Sequence, residues 1–249
     1  MIQDLHSHTY YSFCGKDSPE TIVEAAIAGG IEVIGISDHA HGVGFAHKDA
    51  YKAPTDIVPI AYKNKTLQRY LEHITLIRDK YADKIRVMRG IEVSTEGLRE
   101  KTILPDDADI SGFDYCLIEH LDSPTSVTGG DLFAYAKRCG CPYVGVAHTD
   151  LFAHIQKLGE DPLSYFKRMA AENIFWEMNV SYDSIHKYIE HEYMLRFFED
   201  AAQQAIVRES GVRVSIGFDG HRIEDYLPQR VAQYAKKLSA MQIRMPFED

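Results

Sequence analysis

The sequence predicts an α/β protein whose strands close, or nearly close, into a parallel barrel. Three observations carry that prediction. Short apolar runs alternate with amphipathic stretches about seven times along the chain, the signature of β-then-α units. Almost every apolar run ends on a histidine, aspartate or glutamate, and in β/α barrels the chemistry sits at the C-terminal strand ends. The length, 249 residues, suits a single barrel domain, taken here as residues 1–249. A doubly wound open sheet is the alternative.

In order, Ile2 to Leu5 is the first strand. Ser18 then offers an N-cap, Pro19 the first helical position and Glu20 an acid in the first turn, a strong helix start. Ile22, Val23, Ala26 and Ile27 form its buried stripe, and Gly29-Gly30 ends it. Val33 to Ile36 is continuously apolar, as a parallel strand covered on both faces should be. Residues 40–62 have no clear period, and a connection of that length is usually functional. A helix over 63–81 follows, with Leu67, Tyr70, Leu71, Ile74 and Ile77 on one side. Strands are expected at Ile85–Val93, Tyr115–Ile118, Tyr143–Ala147, Ile174–Val180 and Val212–Gly217. Helices are expected near 130–138, 162–172 and 228–240. One long helix over 189–209 should carry Tyr193, Leu195, Phe197 and Phe198.

Composition narrows the function. Apolar residues make up 45% and charged residues 26%, ordinary for a globular enzyme with a real core. A formal net charge of −10 argues against non-specific attraction to nucleic acid or an anionic membrane. No apolar run approaches the length of a membrane span, and the N-terminus lacks a signal-peptide pattern. The expected location is cytoplasmic. Cys14, Cys116, Cys139 and Cys141 are too few for a disulfide framework, and Cys139-Gly140-Cys141 reads as a surface turn. The oligomeric state is left open.

The strand ends supply the chemistry. His6 and His8, two apart on a strand, share a face and can reach one ion. Asp38-His39, Glu92, His120, His148, Asp219 and His221 follow the later strands. The sixth strand offers Glu177 and Asn179 instead. Any one of these residues has a plain alternative, such as a helix cap, an ion-pair partner or a hydrogen-bonded core imidazole. Their recurrence at matching places points to a metal site, and nitrogen and carboxylate donors suit Zn²⁺, Mn²⁺ or Fe²⁺ better than Ca²⁺. His73, His186 and His191 read as surface residues. His41, His47 and His154 are candidates to meet a substrate.

The set Asp4-Leu5-His6-Ser7-His8-Thr9, Ile36-Ser37-Asp38-His39, Gly90-Ile91-Glu92-Val93-Ser94, His120, Ala147-His148 and Gly217-Phe218-Asp219-Gly220-His221 resembles the PHP (polymerase and histidinol phosphatase) family. The likeness runs from residue 4 to about 225. It implies a distorted (β/α)7 TIM-like barrel holding two or three divalent metals (Zn, Mn or Fe) and hydrolysing phosphoesters. On that resemblance His6, His8, Glu92 and Asp219 would hold one ion, and Glu92, His120 and His148 a second. His39 and His221 would hold a third, with Cys14 standing where the family has a histidine or aspartate. Asp17 is a substitute within reach of that position.

The catalytic set implied is Asp38, Glu92, Asp219 and Arg222, with Asp38 as a proton acceptor or an orienting group. Arg222, Lys16 or Arg89 would meet the phosphate of a small phosphorylated substrate, Arg222 being preferred. Val144-Gly145-Val146-Ala147-His148-Thr149-Asp150-Leu151 and Trp176-Glu177-Met178-Asn179 look most like the histidinol-phosphate phosphatase branch, whose chemistry belongs to histidine biosynthesis. For such a substrate, Phe45, Tyr51, Asp56, Tyr182 or Asp183 would supply an aromatic wall and an acid. An amidohydrolase-like enzyme, or a catalytically weak metal-binding module, is the competing expectation.

Overall fold

The computed structural model describes residues 1–45, 60–96, 103–106, 108–182 and 188–248, with the side chains of 60–64 left out. Seven parallel strands follow one another in chain order. They are β1 (Gln3–Asp4), β2 (Val33–Ile36), β3 (Arg86–Ser94), β4 (Tyr115–Glu119), β5 (Val144–Val146), β6 (Ile174–Asn179) and β7 (Val214–Gly217). The last strand returns to the first: Leu5 N donates to Ile216 O at 3.0 Å and His8 N to Gly220 O at 2.8 Å. That closure makes a barrel and rules out the open doubly wound sheet. Every neighbouring pair is parallel, in registers such as Gly35↔Met88 and Glu92↔Leu117.

The helices are α1 (Pro19–Ala28), α2 (Ile60–Lys80), α3 (Leu132–Cys139), α4 (Leu151–Leu158), α5 (Pro162–Ala171), α6 (Glu192–Glu199), α7 (Ala201–Ser210) and α8 (Pro228–Ala240). Ser18 caps α1 through Thr21 N, with Pro19 at its start, as expected. Three departures from the sequence reading have local causes. The long helix over 189–209 is two helices, because Asp200 leaves helical geometry (φ −95°, ψ 100°) and its carboxylate caps Ala202 N and Gln203 N. Breaking there satisfies new N-terminal amides that an unbroken helix would have paired internally. Leu195 lies exposed, while Tyr193, Met194 and Phe197 are buried. Helix α4 was not anticipated: eight residues give only one apolar turn (Leu151, His154, Ile155), too short a stretch for periodicity to register. Between β3 and β4 no helix occurs among the described residues, so the β/α alternation is irregular there.

Strand alternation builds the interior. On β3, β4 and β6, every second residue faces inward: Met88, Tyr115, Leu117 and Phe175 join Leu5, Val33, Ala147 and Phe247 in a cluster that fills the lower barrel. The Tyr115 hydroxyl donates to Leu5 O at 2.6 Å. Further along the same faces come Glu92, Glu119 and Glu177, each almost wholly buried. The other faces pack against the helices, where Trp176 meets Phe152, Phe166, Tyr193 and Phe197. Burying each large side chain of that shell contributes roughly 1.5–3 kcal/mol. Cys139-Gly140-Cys141 is the turn that ends α3: Gly140 is exposed in the left-handed region at φ 69°, while the Cys139 side chain is buried. Among the described residues, no helix is long and apolar enough to cross a membrane.

Candidate metal centre

The top of the barrel gathers the strand-end residues into one cage. His6 Nε2 lies 3.2 Å from Glu92 Oε1 and 3.5 Å from Asp219 Oδ1. His8 Nε2 lies 3.1 Å from Asp219 Oδ1 and 3.5 Å from Glu92 Oε2, and the two Nε2 atoms are 3.1 Å apart. His39 Nδ1 sits 2.8 Å from Glu92 Oε2, and His148 Nε2 3.3 Å from Glu92 Oε1. His221 Nε2 is 3.8 Å from Asp219 Oδ1. Glu92 therefore stands between the groups of donors. Three of the residues, His120 (φ 60°), His148 (φ 28°) and Asp219 (φ 56°), hold left-handed backbone, strain of the kind that collects at functional sites.

Glu177 reads this cage from below. Its Oε1 accepts from His6 Nδ1 at 2.7 Å, and its Oε2 accepts from His148 N at 2.9 Å. With Nδ1–H donating to Glu177, the His6 Nε2 lone pair faces Glu92, Asp219 and the His8 ring nitrogen. Acceptors facing acceptors are unfavourable unless a proton or a cation lies among them. Glu92 Oε2 is buried and makes no hydrogen bond among the described residues, although His39 Nδ1 is close by. The donors fit divalent ions on this evidence, and four compact groups stand out: His6/His8/Glu92, His8/Asp219/His221, His8/Cys14/His39 and His39/Glu92/Glu119.

The electrostatics agree with that arrangement. Burial alone would push the His6 imidazole down, but Asp219, Glu177 and Glu92 together hold it well above 6.5. His39 is raised in the same way, against burial, by Glu92 and Cys14. Burial would lift Glu92, yet His6 and His39 keep it well below 4.5, and Asp219 is held down by His6 and His8. Without metal, protons take the cation's place.

Several residues take positions other than those expected. The Asp38 carboxylate accepts from Thr9 N, Thr9 Oγ1, Ser12 N, Ser12 Oγ and Tyr70 OH, at 2.7–3.2 Å. Its lone pairs are spent on fixing the loop after β1, which argues against a proton acceptor. Arg89 is bound to Asp114, with Nη2 at 2.8 Å from Oδ1, so it is not a cation for phosphate. Asp17 is occupied too: its Oδ2 accepts from Ile223 N at 2.9 Å. Arg222 is exposed next to His221, and Lys16 is also exposed. His120 Nε2 lies 2.9 Å from Glu119 Oε2, with its ring 5.9 Å from that of His148.

Two residues at the mouth escaped the sequence reading. Glu119, the last residue of β4, carries the same strand-end signal as its neighbours but stands beside the more conspicuous His120. His191, expected at the surface, stacks on His148 at 6.1 Å and meets the Tyr182 ring, tilted, at 4.0 Å. Across the mouth His41 stacks on His39 at 5.3 Å and meets the Phe13 ring, tilted, at 5.1 Å. His73 bonds Tyr11 OH at 2.9 Å, and His154 is buried on α4. Phe45 is partly buried against the main core. His47, Tyr51, Asp56, Asp183 and His186 lie outside the described residues.

A family model described as the PHP domain matches residues 4–241. The chain belongs to the PHP family. Among solved structures, a histidinol phosphate phosphatase from Lactococcus lactis, complexed with zinc, L-histidinol and phosphate, superposes with a TM-score of 0.54 at 15% identity, covering 98% of this chain and 95% of that one. A histidinol phosphatase assignment from Listeria monocytogenes gives 0.48 at 15% identity over 90% and 96%. An amidohydrolase gives 0.46 at 14% identity over 97% and 70%. At these identities the first likeness speaks to the fold, and this PHP barrel shares it. A comparison with curated proteins finds no significant match.

Proposed function

We propose that this PHP protein is a metal-dependent phosphomonoesterase acting on a small substrate, with histidinol phosphate the first candidate. The observation that carries the reading is the convergence of His6 Nε2, His8 Nε2, Glu92 and Asp219 within 3.1–3.5 Å, with the His6 ring turned by Glu177. His6, His8, Glu92 and Asp219 would hold one ion and Glu92, His120 and His148 a second, with Glu119 bordering both Glu92 and His120. His39, His221 and Cys14 would serve a third. Zinc, manganese or iron there supplies the charge that neutralises phosphate oxygens and acidifies a water for in-line attack.

The chain's own residues do the rest. Glu177 keeps the His6 lone pair aimed at the cage and ties down the backbone of His148. Asp38 holds the β1 loop, and with it His8 and Cys14, against the barrel. Arg222 offers a charge to the phosphate from the exposed rim. Phe13, His41, Tyr182 and His191 make an aromatic mouth suited to a planar ring on the alcohol side of the ester. The complex of the Lactococcus relative with zinc, L-histidinol and phosphate supports an imidazole-bearing alcohol as that group.

The test is phosphate release by metal-free protein reloaded with zinc or manganese, assayed on histidinol phosphate, an aryl phosphate, sugar phosphates and nucleotides. Metal-dependent release with histidinol phosphate preferred is the expected result. Release from other monoesters alone would remove the substrate assignment. Metal binding without release from any ester would favour a binding module, and cleavage of amides instead would favour the amidohydrolase-like alternative.

A further inference from the structure

The loop after β1 doubles back so tightly that its backbone dictates where Cys14 goes. Ser12 N donates to Thr9 O, Tyr10 N to Asp17 O and Lys16 N to His221 O, each at 2.9 Å. A Cβ on Gly15 would come within 2.1 Å of Thr9 O, so only glycine allows the chain this close to itself. Asp38 grips the same loop through Thr9 and Ser12. The Cys14 thiol is thereby set in hydrogen-bond contact with His39 and His221. Its sulfur and the ring nitrogens of His8 and His39 all lie within 4.8 Å of one another.

We infer that Cys14, His39 and His221 form a thiolate–imidazole cation position that selects zinc-like ions over manganese and magnesium. The inference rests on the cage being a metal site, not on the reaction proposed for it. Asp17, a carboxylate that could have hardened this position, is tied to Ile223 N, and Asp219 Oδ1 lies nearer His8 Nε2 (3.1 Å) than His221 Nε2 (3.8 Å), so sulfur is the donor that distinguishes this position. Sulfur is a soft ligand, favoured by zinc, cobalt and iron and disfavoured by hard ions. A thiolate also passes more charge to its ion than an imidazole does.

Cobalt(II) reads the sulfur directly. Titrated into metal-free full-length protein, it should produce a sulfur-to-cobalt charge-transfer band in the near ultraviolet. The band should disappear in Cys14→Ser, whereas Cys14→His should bind cobalt without it. The titration is run in a Cys141→Ser background, because Cys116 contacts Cys139 and Cys141 and clustered thiols bind cobalt themselves. A second readout needs no variant: zinc, but not manganese, should protect Cys14 from alkylation by iodoacetamide, followed on its peptide by mass spectrometry. Cobalt uptake without the band, a band that survives Cys14→Ser, or Cys14 alkylated equally fast with and without zinc would overturn the inference. Phosphate release is independent of these readouts. A band without hydrolysis would leave this position standing and remove the phosphatase reading, and hydrolysis without a band would do the reverse.

Discussion

Glu177 Oε1 on β6 and His6 Nδ1, just after β1, lie 2.7 Å apart inside the closed barrel. The same carboxylate accepts from His148 N, so one buried group sets the aim of two candidate ligands. Glu177→Gln should keep the bond to His6 but turn an amide donor toward His148 N. Zinc affinity should then fall by roughly 10–100-fold, the usual cost of losing an outer partner of a ligand. Competition against a chromophoric chelator measures it. Gly217→Ala should act in the same direction, because a Cβ there would fall 2.0 Å from Glu177 Oε1.

Asp38 is a structural anchor for the site. Replacing it with alanine strands two buried backbone amides and three hydroxyls that now donate to it. Asp38→Ala should therefore cost about 3 kcal/mol or more in unfolding free energy, measured by denaturant titration of metal-free protein. A catalytic base would lower turnover without that loss of stability.

The barrel was legible because its signals repeat: apolar runs of strand length, a cap at Ser18, and a titratable residue after nearly every strand. Local periodicity carries such information well, whereas the closing contact between Leu5 and Ile216, which separates a barrel from an open sheet, is seen only in the structure. What stayed hidden depends on three-dimensional neighbours. Asp200 looks like an ordinary helical residue until its capping bonds are seen. His191 reads as a solvated flank of a helix because its partner, His148, is 43 positions away in sequence. Asp38 and Arg89 look equally free to do chemistry, and only the structure shows each already committed. The strand-end rule applied to Glu119 would have found it without coordinates.

Arg222 follows His221 directly and is exposed, so it can turn toward a bound phosphate without disturbing the cage. Arg222→Ala should raise KM about 10-fold, the scale of a charge-assisted hydrogen bond, with kcat little changed. Steady-state kinetics on the best substrate of the screen separates the two constants. An equal loss in kcat would mean that the guanidinium acts on the transition state rather than on the bound ester.

The pH dependence of stability should reverse when metal is added. In metal-free protein, burial opposes the charged form of His6, but Asp219, Glu177 and Glu92 outweigh it and raise its value well above 6.5. A raised histidine contributes stability that is complete below 6.5 and is lost as pH climbs through the folded-state value. Glu92 and Asp219, held well below 4.5 and 3.8 by the same histidines, contribute stability above those values and lose it on acidification. Metal-free protein should thus melt highest in the window between 4.5 and 6.5 and soften on the alkaline side. A divalent ion takes over from the protons on His6, His39, His148 and His221, so binding releases protons and strengthens as pH rises. Zinc should therefore add most to the melting temperature where the metal-free protein is weakest. Thermal melts with and without zinc, across mildly acidic to mildly alkaline buffers, measure both curves. A zinc increment that does not grow with pH would mean that these imidazoles do not bind the ion.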